Sequence, residues 1–166
     1  MSLSQALLPE FDQEMKTTRR ALERVPTANL SWQPHPKSMT LGYLATHLAE
    51  LPGWGSMTVQ TDELDFGTGP YVPTILSESA QIVALFDENV AKSREALLGV
   101  SDEELMKPWT LRKGDHVIFT MPKIAVLRAM VMNHVIHHRG QLTVYLRLND
   151  IPVPSVYGPS ADEGNF

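Results

Sequence analysis

Cysteine is missing from all 166 residues. That single absence removes disulfides, cysteine-ligated metals and a cysteine nucleophile together. Long apolar runs are missing too, since none reaches the roughly 20 residues that span a bilayer. Positive charge is in short supply: 14 Lys and Arg against 19 Asp and Glu leave a net charge of −5, with no long basic tract. A general nucleic-acid surface is therefore not expected. The N-terminus, MSLSQALLPEFDQEM, has neither the basic start nor the cleavage region of a signal peptide, so the expected location is the cytoplasm. No G-x-S-x-G elbow, P-loop or G-x-G-x-x-G is present.

What is there reads as one soluble globular unit. Hydrophobic residues make up 43% and charged residues 20% of the chain. The length suits a single domain spanning 1–166, and no repeat, low-complexity segment or linker divides it.

Four helical stretches stand out by their periodicity. The first runs from about Leu3 to Val25 with Phe11, Met15, Thr18, Leu22 and Val25 at helical spacing, and Pro9 marks a break or a first turn. The second begins near Thr40 as N-cap and carries Leu41, Leu44, Leu48 and Leu51 on one stripe; Pro52-Gly53 kinks or ends it. The third starts at Ser77-Glu78 and stops at Gly99, with Ile82, Leu85, Phe86, Val90 and Leu97 inward. Ser101 to Glu104 forms a short capped turn. WTLR and HVIFT flank Lys113-Gly114-Asp115 as a small β-hairpin. A final helix runs from Pro122 to about Asn149, and the Pro- and Gly-rich tail from Ile151 is irregular. The expectation is an all-α four-helix bundle with a small hairpin before the last helix and long crossover connections, which permit parallel neighbours.

NHVIHHRGQL, residues Asn133 to Leu142, holds three of the six histidines. With His134 at zero on a helical wheel, Leu127, Val131, His138, Gln141, Leu142, Tyr145 and Leu148 fall between roughly −40° and +80°. His134 and His138 thus share the inward stripe, one turn apart, while His137 sits at its edge. Arg128, Arg139, Thr143 and Arg147 fall on the far side, joined by Met132 and Ile136, which read either as a dimer contact or as scattered surface apolar residues. Histidines at i and i+4 make a natural metal clip, although the spacing also arises in ordinary helices. A third ligand has to come from another helix. His47 lies on the flank of the second helix with Tyr43 and Trp54, a place that equally suits a structural histidine. Glu50 is the nearest acid and also fits a plain surface carboxylate. His137, Gln141 and Tyr145 are candidates for the pocket or for support of the ligands. His35 and His116 read as solvated loop residues. Gly140 inside a helix has no explanation beyond a close backbone approach, which its outward position disfavours.

Two blocks carry a resemblance to a known family. PHPKSMTLGYLATHLAELPGW and, about ninety residues further on, NHVIHHRGQLTVYLRLNDIPVPSVYGPSADE resemble the DinB-like (YfiT-like) family of metal-dependent enzymes, within the thiol S-transferase-type superfamily. The likeness runs over nearly the whole chain from TRRALERVP onward. It implies an up-down-down-up four-helix bundle with a divalent metal on His47, His134 and His138. Nickel or zinc is the usual ion, sometimes iron or manganese, and homodimers are common. Relatives include thiol S-transferases and a mycothiol-dependent isomerase, in which the metal activates a low-molecular-weight thiol. The expected function is a metal-dependent transferase in which such a thiol attacks a small-molecule electrophile. The alternatives are a metal-dependent hydrolase using water and a non-catalytic metal-binding bundle.

Overall fold

The computed structural model describes residues 2–69 and 73–164. Helix α1, Leu3–Leu22, opens with a capping box between Ser2 and Gln5. Pro9 lies inside this helix and does not break it. Pro9 and Gln5 are both exposed, so the Gln5 carbonyl that loses its helical donor meets water. Helix α2, Leu41–Glu50, starts where expected: the Thr40 side chain accepts from the Tyr43 N–H at 3.1 Å. The chain turns at Leu51-Pro52 and resumes as α3, Gly53–Gln60. Helix α4 covers Ser79–Gly99, and the turn capped by Ser101 is the short helix α5, Asp102–Met106.

The protein is mostly helical, with a sheet larger than the expected hairpin. β2, Pro108–Lys113, and β3, His116–Pro122, pair antiparallel, and a third strand β1, Glu63–Asp65, pairs parallel with β2. Three residues reading Glu-Leu-Asp carry no alternating pattern, so the sequence gives no sign of β1. Beneath the sheet, Trp109, Leu111 and Val126 form a small core of their own. The Trp109 indole donates to Thr61 Oγ1 at 3.1 Å.

The main core lies where α1 and α2 each pack against α4 and the last helix. Phe11, Met15 and Leu22 of α1, the α2 leucine stripe, and Ile82, Phe86 and Leu97 of α4 are all buried there, whereas Leu85 and Val90 are only half-buried. Among the described residues no helix is long and apolar enough to cross a membrane.

The last helix departs most from the wheel reading. It runs as α6, Lys123–Val126, a π-helical stretch Leu127–Met132, and α7, Asn133–Leu148, with Pro122 as N-cap rather than first helical residue. In α7 the buried residues are Val135, His138, Arg139, Leu142 and Leu146, so His138 and Leu142 face inward as the wheel places them while the face as a whole is centred about 100° round from His134. Gln141 and Leu148, placed inward on the wheel, are exposed. Arg139, placed outward, is 1% exposed. Of the two histidines, His138 is buried and His134 half-buried at one side of the apolar stripe. One extra residue in a π turn also rotates everything before it by about 100°. Lys123 and Val126, ahead of that stretch, are both buried, Val126 in the small core under the sheet. Met132 is 1% exposed within the core, so it is not available as a surface contact, and Ile136 is half-buried.

Arg139 is buried because it has partners. Its guanidinium meets Glu14 Oε2 at 2.7 Å and the Tyr157 hydroxyl at 2.7 Å, and Tyr157 in turn donates to Glu14 at 2.9 Å. Glu163 pairs with Arg20 and Arg24. The irregular tail is thereby fastened to α1 and α7.

Gly140 is exposed, and a Cβ built there meets nothing within 4 Å. No close approach requires the glycine. Gly140→Ala is therefore expected to raise stability by about 1 kcal/mol through helix propensity, checked by urea denaturation.

Candidate metal centre

Three imidazoles meet at the edge of that core. His47, in the last turn of α2, faces His134 and His138 on successive turns of α7, with ring centroids 5.2 and 4.8 Å away. His134 and His138 stand 4.6 Å apart, their Nε2 atoms 2.9 Å from each other. One nitrogen from each of the three lies within 4.8 Å of the others. Ligands on a tetrahedral ion with metal–nitrogen bonds near 2.0–2.1 Å sit roughly 3.3 Å apart, so small side-chain adjustments suffice.

A hydrogen bond at the far side of one ring orients it. His138 Nδ1 is 2.7 Å from Gln141 Oε1, an acceptor, so Nδ1 carries the proton and Nε2 the lone pair. Burial lowers the His134 ring's pKa and the Met130 backbone one turn back works against it. With the His138 Nε2 lone pair facing it at 2.9 Å, His134 Nε2 either donates a proton to that lone pair or joins it around a cation. The donor set therefore fits a metal ion, and these three imidazoles can hold one.

The electrostatics agree. Burial, then the neighbouring rings His138 and His134, pushes His47 down to about 4. Burial lowers His134 and His138 as well. The rings are neutral near pH 7, as metal ligation requires. The sign of the linkage follows. At pH values between about 4 and the ordinary histidine value of 6.5, the unfolded chain binds more protons than the folded one. Metal-stripped protein is thus expected to keep its full stability above 6.5 and lose it as pH falls toward about 4. Urea midpoints at several pH values test this, and the loss should shrink in His47→Gln.

Beside the histidines lies a cleft of about 690 Å³, lined by Met39, Tyr43, His47, Trp54, Phe66, Gly67, Gly69, Lys113 and His134. Tyr43 and Trp54 line it as their shared flank with His47 suggests. Tyr145 acts indirectly: its hydroxyl donates to the Met39 carbonyl at 3.3 Å and its ring meets Trp32 edge-on. Gln141 supports His138 from outside the cleft. Gln141→Leu is expected to weaken metal binding by about 10–100-fold without unfolding the protein, read by chelator competition. Glu50 bonds Thr74 instead of joining the histidines. His137 is exposed, with its ring 4.9 Å from that of His138. His35 and His116 are exposed and apart from the cluster.

The far wall of the cleft has no counterpart in the sequence reading. Phe66, Gly67 and Thr68 form a 3₁₀ turn after β1. Asp65 fixes it to the hairpin tip: Oδ1 accepts from the N–H of Gly67 at 2.6 Å and of Gly114 at 2.8 Å, and Oδ2 pairs with Arg112. Those two backbone donors hold the Asp65 carboxyl below its usual range, helped by Arg112. A Cβ on Gly67 would lie 2.5 Å from the Gly114 nitrogen, so only glycine allows this approach. Because β1 is short and polar, nothing local announces that Phe66 and Lys113 share a cavity with His47.

Sequence and fold both match known proteins. The family model described as "DinB family" matches residues 1–165, and the chain belongs to the DinB family. It is 27% identical over 159 residues to the Bacillus subtilis (strain 168) protein YrdA, covering 94% of this chain and 89% of that one. A DinB-like protein from Bacillus cereus ATCC 10987 has a similar fold, with a TM-score of 0.69 at 24% identity over 90% of this chain and 95% of its own. A second, YjoA from Bacillus subtilis, gives a TM-score of 0.70 at 18% identity over 91% and 96%.

Proposed function

We propose that the chain is a cytoplasmic, single-domain, metal-dependent transferase that carries a low-molecular-weight thiol to a small electrophile. Nickel or zinc is the proposed ion, with iron or manganese compatible with the same three nitrogens, and His47, His134 and His138 are its ligands. The observation that carries the reading is the pair of Nε2 atoms 2.9 Å apart, with His47 beside them and an open cleft in front. Among the described residues no fourth histidine or acid joins the group, which favours a working site over a closed structural one. When bound, such an ion supplies the positive charge that lowers the pKa of a sulfhydryl or water brought to it.

The chain's own residues do the rest. Gln141 holds the His138 imidazole in the ligating tautomer. Trp54 and Phe66, with rings 6.1 Å apart, supply apolar contact for the reactants and keep water from that side. Tyr43 presents a phenol one turn before His47 on the same cavity, suited to hydrogen-bond a reactant there. The absence of cysteine agrees with a nucleophile that arrives as a cosubstrate. The helical framework reads as an up-down-down-up four-helix bundle of α1, α2 with α3, α4 and the last helix. A homodimer, which the family resemblance implies, has to use a face other than Met132.

The test is to incubate metal-loaded protein with glutathione, bacillithiol or mycothiol and chlorodinitrobenzene, following the thioether. Conjugation that needs both thiol and metal, and that His138→Ala abolishes, is the expected result. Metal-dependent ester cleavage in thiol-free buffer without conjugation would make the protein a hydrolase. No turnover in either assay would leave a metal-binding bundle.

A further inference from the structure

Charge is distributed unevenly around the cleft, and the distribution selects a ligand. Among the described residues no carboxylate lines it, and Lys113 is the one lysine or arginine that does. Its neighbour Arg112 cannot serve, because Glu63 at 2.7 Å and Asp65 at 2.6 Å already neutralise it. Lys113 forms no such pair among the described residues, although it stands on the same strand end. The hairpin tip thus keeps one free cation on the cavity side, and the Asp65 clamp on Gly67 and Gly114 fixes the tip in place. Beside Lys113 the wall is aromatic, formed by Phe66 against Trp54.

An ammonium beside an aromatic surface, in a cleft with no carboxylate among its described lining residues, matches a particular chemistry. We infer that the cleft binds a small amphipathic anion, its acidic group at Lys113 and its apolar body against Trp54 and Phe66. Its reacting end then lies toward the three histidines, and this last placement rests on the function proposed above. Neutral imidazole ligands cancel none of a bound ion's charge, so both ends of the cleft favour negative charge. Lys113 is a specificity-determining residue in this scheme. It takes no part in the bond changes. An exposed ion pair contributes up to about 1 kcal/mol, or roughly fivefold in affinity.

The experiment titrates zinc-loaded protein calorimetrically with naphthoate, its neutral amide and naphthyl phosphate. Wild type is expected to bind the anions about fivefold more tightly than the amide. Lys113→Glu should reduce that preference by about fivefold, leaving only what the bound zinc contributes, with amide affinity within about twofold, and Lys113→Arg should keep it. Stronger binding of the phosphate than of the carboxylate would assign a phosphate-bearing ligand, and the reverse order a carboxylate-bearing one. Equal binding of anion and amide by wild type, binding of no probe, or a preference unmoved in Lys113→Glu would overturn the proposal. Zinc content measured in parallel separates the two claims. Wild-type protein that takes up no zinc yet shows the Lys113-dependent preference would overturn the three-histidine site and leave the anion site standing.

Discussion

Arg139→Ala is expected to destabilise the protein by about 3–5 kcal/mol, the cost of leaving a buried partner charge uncompensated. The side chain is 1% exposed and Glu14 has a side-chain exposure of 8%, so water cannot replace the guanidinium. The same change removes the donor to the Tyr157 hydroxyl and the cation over its ring, 5.1 Å from the centroid. A thermal midpoint lower by about 10 °C follows for a chain of this size. The companion variant isolates the cause. Glu14→Gln with Arg139→Met removes both charges and should recover most of the loss, because a neutral pair of similar volume, its amide oxygen still able to accept from Tyr157, costs far less than a lone buried carboxylate. If Arg139→Ala shifted the urea midpoint only slightly, the Glu14 carboxylate would have to reach solvent through a rearranged tail.

His47→Ala, His134→Ala and His138→Ala are each expected to remove metal binding, while His137→Ala keeps it. Each of the three supplies one nitrogen to a group that spans less than 4.8 Å, whereas His137 is exposed and outside it. Two ligands on one helix retain some affinity, so the His47 variant is the most informative: its loss shows that α2 contributes. The effect should exceed the roughly 10–100-fold cost of losing a supporting hydrogen bond such as that of Gln141. Chelator competition with zinc measures it. An unchanged zinc affinity in His47→Ala would confine the site to α7.

Much of this arrangement was legible in the sequence, for identifiable reasons. The leucines of α2 and the caps at Thr40 and Ser101 are local signals, and the structure follows them. The i, i+4 pair on α7 is local too. Polar residues that carry chemistry do not mark the middle of a buried stripe. His138 is buried and His134 half-buried to one side, and the centre is taken by Val135 and by Arg139, an arginine made acceptable by Glu14 a whole helix away. No local pattern encodes that partner. The π stretch at Leu127–Met132 is also invisible to a fixed period, and so are the partners of buried Lys123, Glu104 and the Val59 carbonyl. The far wall of the cleft depended on a three-residue strand and a glycine contact across 47 positions, Gly67 to Gly114. Long-range pairings of that kind leave almost no trace in composition.

The central claim is that His47, His134 and His138 form one metal site. Its most direct test is the metal content of tag-free wild-type protein by elemental mass spectrometry, as purified and after reconstitution with zinc or nickel. One metal ion per chain, held through gel filtration, is the predicted result. Protein that remains metal-free after reconstitution at neutral pH would contradict it, and the three imidazoles would then be a packed edge of the core.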